Sequence, residues 1–266
     1  MTTLTTDDAL AVATTLDIQT LPSSLAIYPR HADYDQLAAA QQSALSQLRD
    51  RGVLDHSGDV RDDDLATALF TLAHPDRELI AHIVRGGDPS RDTMIRFCLA
   101  RRGFQHAVAV RASEQLEVYP VWVDADPSTL ARPLLSVLGP CPPADIAVCS
   151  APTTELCRYL DAAQSGHTAG AAGLGLTESA TAALGSALRQ RRSVAEIVCY
   201  SHCDGIAVQS PAAVAIYDTA DGRIIGGGST TADGRTWTTL TPGSDHRLTQ
   251  VIATLTESLP EGGWMP

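Results

Sequence analysis

The sequence predicts an α+β protein built on an antiparallel sheet, and three observations carry that prediction. Between Ser193 and Leu240, three Asp-Gly pairs (Asp204-Gly205, Asp221-Gly222 and Asp233-Gly234) each adjoin alternating or β-branched residues. Asp-Gly readily takes the positive φ angles of a tight hairpin turn, so this stretch reads as a meander. Around it, segments with the period of amphipathic helices are interspersed with short strand-like runs. The third observation is internal: DLATALFTLAHPDRELIAHIV from Asp64 aligns without gaps on ESATAALGSALRQRRSVAEIV from Glu178, an offset of 114 residues.

Each element has a local reason. Leu4 to Leu16 reads as a helix, with Thr5 as N-cap and Asp8 completing a near capping box. Leu21 to Tyr28 looks like a short strand, and a second helix runs from about Asp33 to Arg51, with Leu37, Leu45 and Leu48 on one face and Gly52 as its stop. Asp59 to Leu72 is helical again, its acidic start suiting the positive end of the helix dipole, and His74-Pro75 closes it. Strands are expected at Leu79 to Val84, Thr93 to Ala100, Ala107 to Arg111 and Gln115 to Val123, with an open loop from Arg85 to Arg91. Asp126 caps a helix with Pro127 in its first position.

Gly139 to Pro143 reads as a stiff linker, dividing a single domain into halves 1–143 and 144–266. The second half repeats the plan: a strand at Ile146 to Cys149, a helix at Thr153 to Ala163, a small-residue loop at Gly166 to Gly175, a helix capped by Thr177, the meander, and a last helix capped by Ser244. A repeat this long suggests two related halves about a pseudo-twofold axis that build one sheet; chance alignment of alanine-rich helices is the alternative.

In the first meander strand, Ala195, Ile197 and Cys199 fall on one side and Val194, Val198 and Tyr200 on the other. Both sides are apolar, so both are covered, although one could be kept for a partner. The consecutive Gly226, Gly227 and Gly228 mark a bulge, a loose hairpin end, or a place where another backbone approaches closely. Tyr119 and Trp237 read as core anchors at the ends of equivalent strands.

Composition excludes several classes. With 19 Lys plus Arg against 31 Asp plus Glu, the net charge is −12 and no basic run stands out, which argues against a nucleic-acid groove or an anionic membrane surface. The start has no basic segment followed by an apolar one, and no stretch reaches a spanning length, so a cytosolic location is expected. The six cysteines form no CxxC unit and read as reduced, mostly buried residues. Cys199, His202 and Cys203 have no second pair to complete a zinc site, so no metal or cofactor is expected. Signatures of hydrolases, nucleotide-binding loops and zinc proteases are missing. Of the enzyme-like groupings, His202, Cys203 and Asp204 beside a turn is the one worth following, as a small-molecule or catalytic site.

AVAIYDTADGRIIGGG, followed by WTTLTPGSDHRL, resembles the signature of the EspG family of ESX secretion-associated proteins from mycobacteria and other actinobacteria. The matching positions are Asp218, Thr219, Gly222 and Arg223 in a D-T-x-x-G-R motif, then Trp237, Thr239, Pro242 and Gly243. LTTDDALAVATTL, RGVLDHSGDV, VAEIV and the tail LPEGGWMP extend the likeness over nearly the whole chain, and it is greatest to the branch serving the third, metal-regulated ESX system. The resemblance implies a quasi-twofold fold with a central antiparallel sheet and two helical bundles. It further implies a cytosolic, ATP-independent chaperone for PE–PPE heterodimers that covers the apolar tip of the PPE subunit. Contact residues are then expected at Arg85, Gly86, Gly87, Asp88, Ser90 and Arg91 in the loop, at Val208, Ile225 and Gly227 on the sheet, and at Leu174 and Leu176 beside the C-terminal bundle. A homodimer through the glycine-rich edge is a third possibility.

Overall fold

In the computed structural model, residues 1–86, 94–164, 174–231, 233–260 and 262–266 are described. Eleven strands form one sheet: β1 (Thr2–Thr5), β2 (Arg77–Arg85), β3 (Met94–Arg102), β4 (Gln105–Ala112), β5 (Gln115–Pro120), β6 (Cys149–Pro152), β7 (Arg191–Cys203), β8 (Ile206–Gln209), β9 (Val214–Thr219), β10 (Gly222–Thr230) and β11 (Thr236–Pro242). Their order is β1-β5-β4-β3-β2-β7-β9-β10-β11-β6, with β8 paired to the far end of β7, and the strand pairings are antiparallel. Read inward from either edge, a short strand is followed by a three-stranded meander and then by one of the two central strands. The segments that align in sequence end on β2 and β7, which are neighbours, and His82 lies opposite Glu196 at their middle.

Seven helices among the described residues cover the sheet: α1 (Thr6–Thr15), α2 (Tyr34–Asp50), α3 (Asp63–Ala73), α4 (Pro127–Leu138), α5 (Thr153–Gln164), α6 (Glu178–Arg189) and α7 (Asp245–Glu257). One face is covered by α4 and α7 over a core of Leu79, Ile83, Phe97, Leu99, Ile197, Ile216, Leu248 and Ile252. On the opposite face, α1 to α3 cover one half of the sheet and α5 with α6 the other, each over its own cluster. The middle of that second face lies between two bundles. None of these helices is long and apolar enough to cross a membrane.

The expected caps form. Thr5 and Asp8 exchange hydrogen bonds at the start of α1, and Asp126, Thr177 and Ser244 cap α4, α6 and α7. Three readings shift. Leu21 to Tyr28 is not a strand but a single 3-10 turn at Ser23–Leu25, because its carbonyls bond arginine side chains of the sheet rather than a neighbouring strand. The fourth predicted strand stops at Pro120, three residues early. The strand expected at Ile146 to Cys149 runs from Cys149 to Pro152, where it pairs with Trp237 to Leu240. Cys98, Cys149 and Cys199 are buried, whereas Cys157 and Cys203 are exposed, so burial holds for only part of the cysteine set.

Gly226 and Gly227 run in regular register between β9 and β11, and Gly228 continues the register with β11, rather than in a bulge or at an edge, which removes the edge-to-edge dimer suggested by the sequence. Close approach explains Gly228: a Cβ there would sit 2.9 Å from the Ala213 carbonyl oxygen. The approaching backbone is the chain's own.

Candidate partner-binding surface

Strand alternation builds the site. Ala195, Ile197 and Cys199 point under α4 and α7, so Val194, Val198 and Tyr200 point to the other face, between the bundles. Register extends this row sideways: Val84 lies opposite Met94 and Val194, and Tyr217 opposite Val194. All six of these side chains are only half-buried, whereas Ile83, Ala195, Ile197, Cys199 and Ile216 on the α4–α7 side are buried. The result is a shallow trough along the central strands, apolar on either side of a polar line of Arg96, His82 and Glu196 that crosses its middle.

Both walls are fixed by polar anchors. On one side the Ser23–Leu25 turn is held down by Arg96, which donates to the Ser24 carbonyl at 3.2 Å, and by Arg111, which donates to Leu25 at 2.9 Å and also to Ala26. His82 lies 3.3 Å from the Ser24 carbonyl. On the other side the Tyr159 hydroxyl of α5 donates to the Thr181 carbonyl of α6 at 2.8 Å, locking the two helices together. Tyr217 packs against this bundle, and burial pushes its phenol up to about 12, so it stays neutral. Glu196 is the exposed carboxylate of the floor. Such a surface can bury apolar side chains of another protein.

The residues expected from sequence are scattered around this trough. Arg85 turns to the opposite face, where its Nη2 donates to the Val137 carbonyl at 2.8 Å near the end of α4. Gly86 takes φ +74° and donates its N–H to the Arg192 carbonyl, opening the turn after β2. Gly87, Asp88, Ser90 and Arg91 lie outside the described residues. Val208 is 41% exposed, but on β8, at the end of the central strands away from Arg85. Leu176 packs against the α5–α6 core. Ile225, at 0% exposure, and Leu174, at 3%, are core residues rather than contacts. Period-two alternation decides Ile225: it pairs with Ile216, which shares the side of Ala195 under α7. Gly227 has the same parity and faces a cleft against Val251. Val194, Val198 and Tyr200 are the side of β7 that the sequence left open for a partner, whereas Val84, Met94 and Tyr217 were missed, because only strand register brings them beside it.

The grouping of His202, Cys203 and Asp204 comes apart. His202 Nε2 lies 2.7 Å from Glu78 Oε2 on β2, Cys203 ends β7, and Asp204 takes φ +51° in the hairpin turn. Cys199 and His202 point to opposite faces by alternation.

The D-T-x-x-G-R residues form a clamp rather than a contact surface. The Arg223 side chain is 1% exposed; its Nε and Nη2 donate to Asp218 at 2.6 and 2.9 Å, and Nη2 also donates to the Gly139 carbonyl at 3.0 Å. Burial works against its charge, but the hydrogen bond and charge of Asp218 outweigh this and raise its pKa. Its backbone bonds Pro142, Ala144 and Gly243, so the segment after Gly139 is tied to β10. Thr219 closes the adjoining turn on the Gly222 carbonyl. Gly222 has φ +121°, and a Cβ there would lie 2.7 Å from the Pro142 oxygen, which explains the glycine. The C-terminal tail makes a second tie: Arg101 donates to the Trp264 carbonyl at 2.7 Å, Arg77 to that of Pro260 at 3.0 Å, and the buried Trp264 ring stacks near His106.

The EspG5 chain of Mycobacterium tuberculosis, solved in complex with a PE25–PPE41 dimer, superposes with a TM-score of 0.79 at 22% identity, covering 99% of this chain and 98% of that one. The profile of the EspG family matches residues 5–254, and the chain belongs to that family. It is 30% identical to ESX-3 secretion-associated protein EspG3 of Mycolicibacterium smegmatis, over 99% of this chain and 88% of the relative. It is 28% identical to ESX-1 secretion-associated protein EspG1 of Mycobacterium marinum, over 98% of this chain and 90% of the relative.

Proposed function

We propose that this protein is a cytosolic, ATP-independent chaperone, not an enzyme. It masks the apolar tip of the PPE subunit of PE–PPE heterodimers and delivers them to their cognate ESX secretion system. The observation that carries this reading is the half-open apolar row of Val84, Met94, Val194, Val198, Tyr200 and Tyr217, left between two anchored helical walls. Covering about 500 Å² of apolar surface at about 25 cal/mol per Å² gives about 12 kcal/mol, comparable with the entropy cost of association. No nucleotide is required for such burial. The likeness to an EspG5 chain bound to a PE–PPE dimer supports the choice of partner. The mirrored strand order supports two halves, 1–143 and 144–266, related by a twofold near His82 and Glu196.

Co-expression with the PE–PPE pair of the same locus, followed by size-exclusion chromatography, tests the reading. Val198→Glu places a charge in the trough and should abolish co-elution without lowering Tm, since the site is already half-open. Asp88→Ala and Arg91→Ala should weaken capture in the same way. Undiminished co-elution of the Val198 variant would remove the trough from the cargo site.

A further inference from the structure

The face of the molecule away from the trough carries a second groove, between the outer surfaces of α4 and α7. Its wider part, about 590 Å³, lies among Asp126, Arg132, Leu135, Asp245, Thr249 and Ala253. A narrower extension of about 240 Å³ runs past Asp124, Leu130, Glu257 and Trp264, and Pro127 and Ala253 line both parts, so the two are continuous. Its open apolar lining comes from Pro127, Leu135, Ala253 and Met265, with Leu130 buried beneath. Its rim carries four carboxylates, Asp124, Asp126, Asp245 and Glu257, against the single guanidinium of Arg132.

Three of those carboxylates have local work. Asp126 caps α4, Asp124 accepts hydrogen bonds from Asp126 N–H and Thr129, and Asp245 sits at the favourable positive end of α7. Glu257 has no such reason to be acidic. It lies in the last turn of α7, where the helix dipole disfavours a carboxylate, and it forms no ion pair among the described residues. An apolar floor between two helices with an acidic rim is complementary to one kind of partner.

We propose that the α4–α7 groove docks a basic amphipathic helix of a second protein, distinct from the cargo. Such a helix would lay residues spaced i, i+3, i+4 and i+7 on Pro127, Leu135, Ala253 and Met265 and set Lys or Arg against Glu257 and Asp245. The groove and the trough lie on opposite faces of the sheet, so both can be filled at once. Only that simultaneous occupancy rests on the cargo reading.

The test uses the full chain and a fluorescein-labelled amphipathic peptide of about four helical turns with leucines on one face and Lys/Arg flanks. A peptide with Glu in place of every Lys and Arg is the control. Glu257→Lys should weaken the basic peptide about fivefold in anisotropy titrations, while Asp50→Lys, the same charge change on the exposed end of α2, leaves affinity within about twofold. Hydrogen exchange should slow at 126–135 and 245–257 on binding. Equal weakening by both variants would reduce the effect to general acidity and overturn the proposal. Binding of the Glu peptide as strongly as the basic one, or protection confined to the trough, would also overturn it. Glu257→Lys should still co-elute with cargo; loss of cargo would make the groove part of the cargo site and end the claim of a separate partner. Failure of the wild-type protein to bind any cargo, with these peptide results intact, would count against the proposed function alone.

Discussion

Removing the Arg223 guanidinium should unfold the clamp before it touches any binding surface. Arg223→Ala leaves the Asp218 carboxylate, 13% exposed, without its two short hydrogen bonds, and leaves the Gly139 carbonyl without its donor. Breaking a buried pair from one side costs about 3–5 kcal/mol. With an unfolding entropy of about 2.1 cal/mol/K per residue, a chain of 266 residues has about 0.56 kcal/mol/K at its midpoint, so a loss of about 4 kcal/mol lowers Tm by about 7 °C. Arg223→Met combined with Asp218→Leu removes both charges together and should recover much of the loss. Thermal unfolding followed by circular dichroism reads the stability, and cargo co-elution per folded molecule at low temperature reads the function. Near-wild-type Tm with lost capture would show that the motif is a contact after all and refute the clamp.

Three further outcomes follow from the same geometry. Burial pulls the His106 imidazole down to about 4 from an ordinary 6.5, so the folded form stays neutral while the unfolded chain protonates. Stability from this group is therefore complete above pH 6.5 and falls as pH drops toward 4, by about 2 kcal/mol at pH 5; urea melts of His106→Gln should show that much less loss between pH 7.5 and pH 5. Trp264→Ala removes a buried ring from the tail clasp and should cost about 3–5 kcal/mol in the same melts. Gly222→Ala, forced to φ +121° with its Cβ against the linker, should destabilise by at least about 1 kcal/mol without changing cargo affinity; an unchanged Tm would contradict the close approach.

Much of the fold was legible because it is specified locally. Thr5 with Asp8, Asp126 with Pro127, Thr177 and Ser244 each announce a helix within four residues, and Asp204-Gly205 adopts positive φ at both positions as a hairpin turn requires. The Ser23–Leu25 turn was not legible because distant residues make it: Arg96 and Arg111 hold its carbonyls from across 72 and 86 positions of sequence. The tail was recognised only as a sequence likeness, since its ties to Arg77 and Arg101 span 183 and 163 positions.

The binding surface was half legible for a sharper reason. Alternation along β7 shows that two apolar faces exist but is symmetric between them, so it cannot say which one helices close. That choice depends on where α4 and α7 meet, on the side of Ala195 and Ile197, which leaves Val194 and Val198 half-buried on the other face. Ile225 is expected from sequence as a sheet contact, and its pairing with Ile216 puts it on the closed side. A motif residue that is completely buried, as Arg223 is, marks what ties the Gly139 to Ala144 segment to β10. The partner site is found by asking which apolar row the helices leave uncovered.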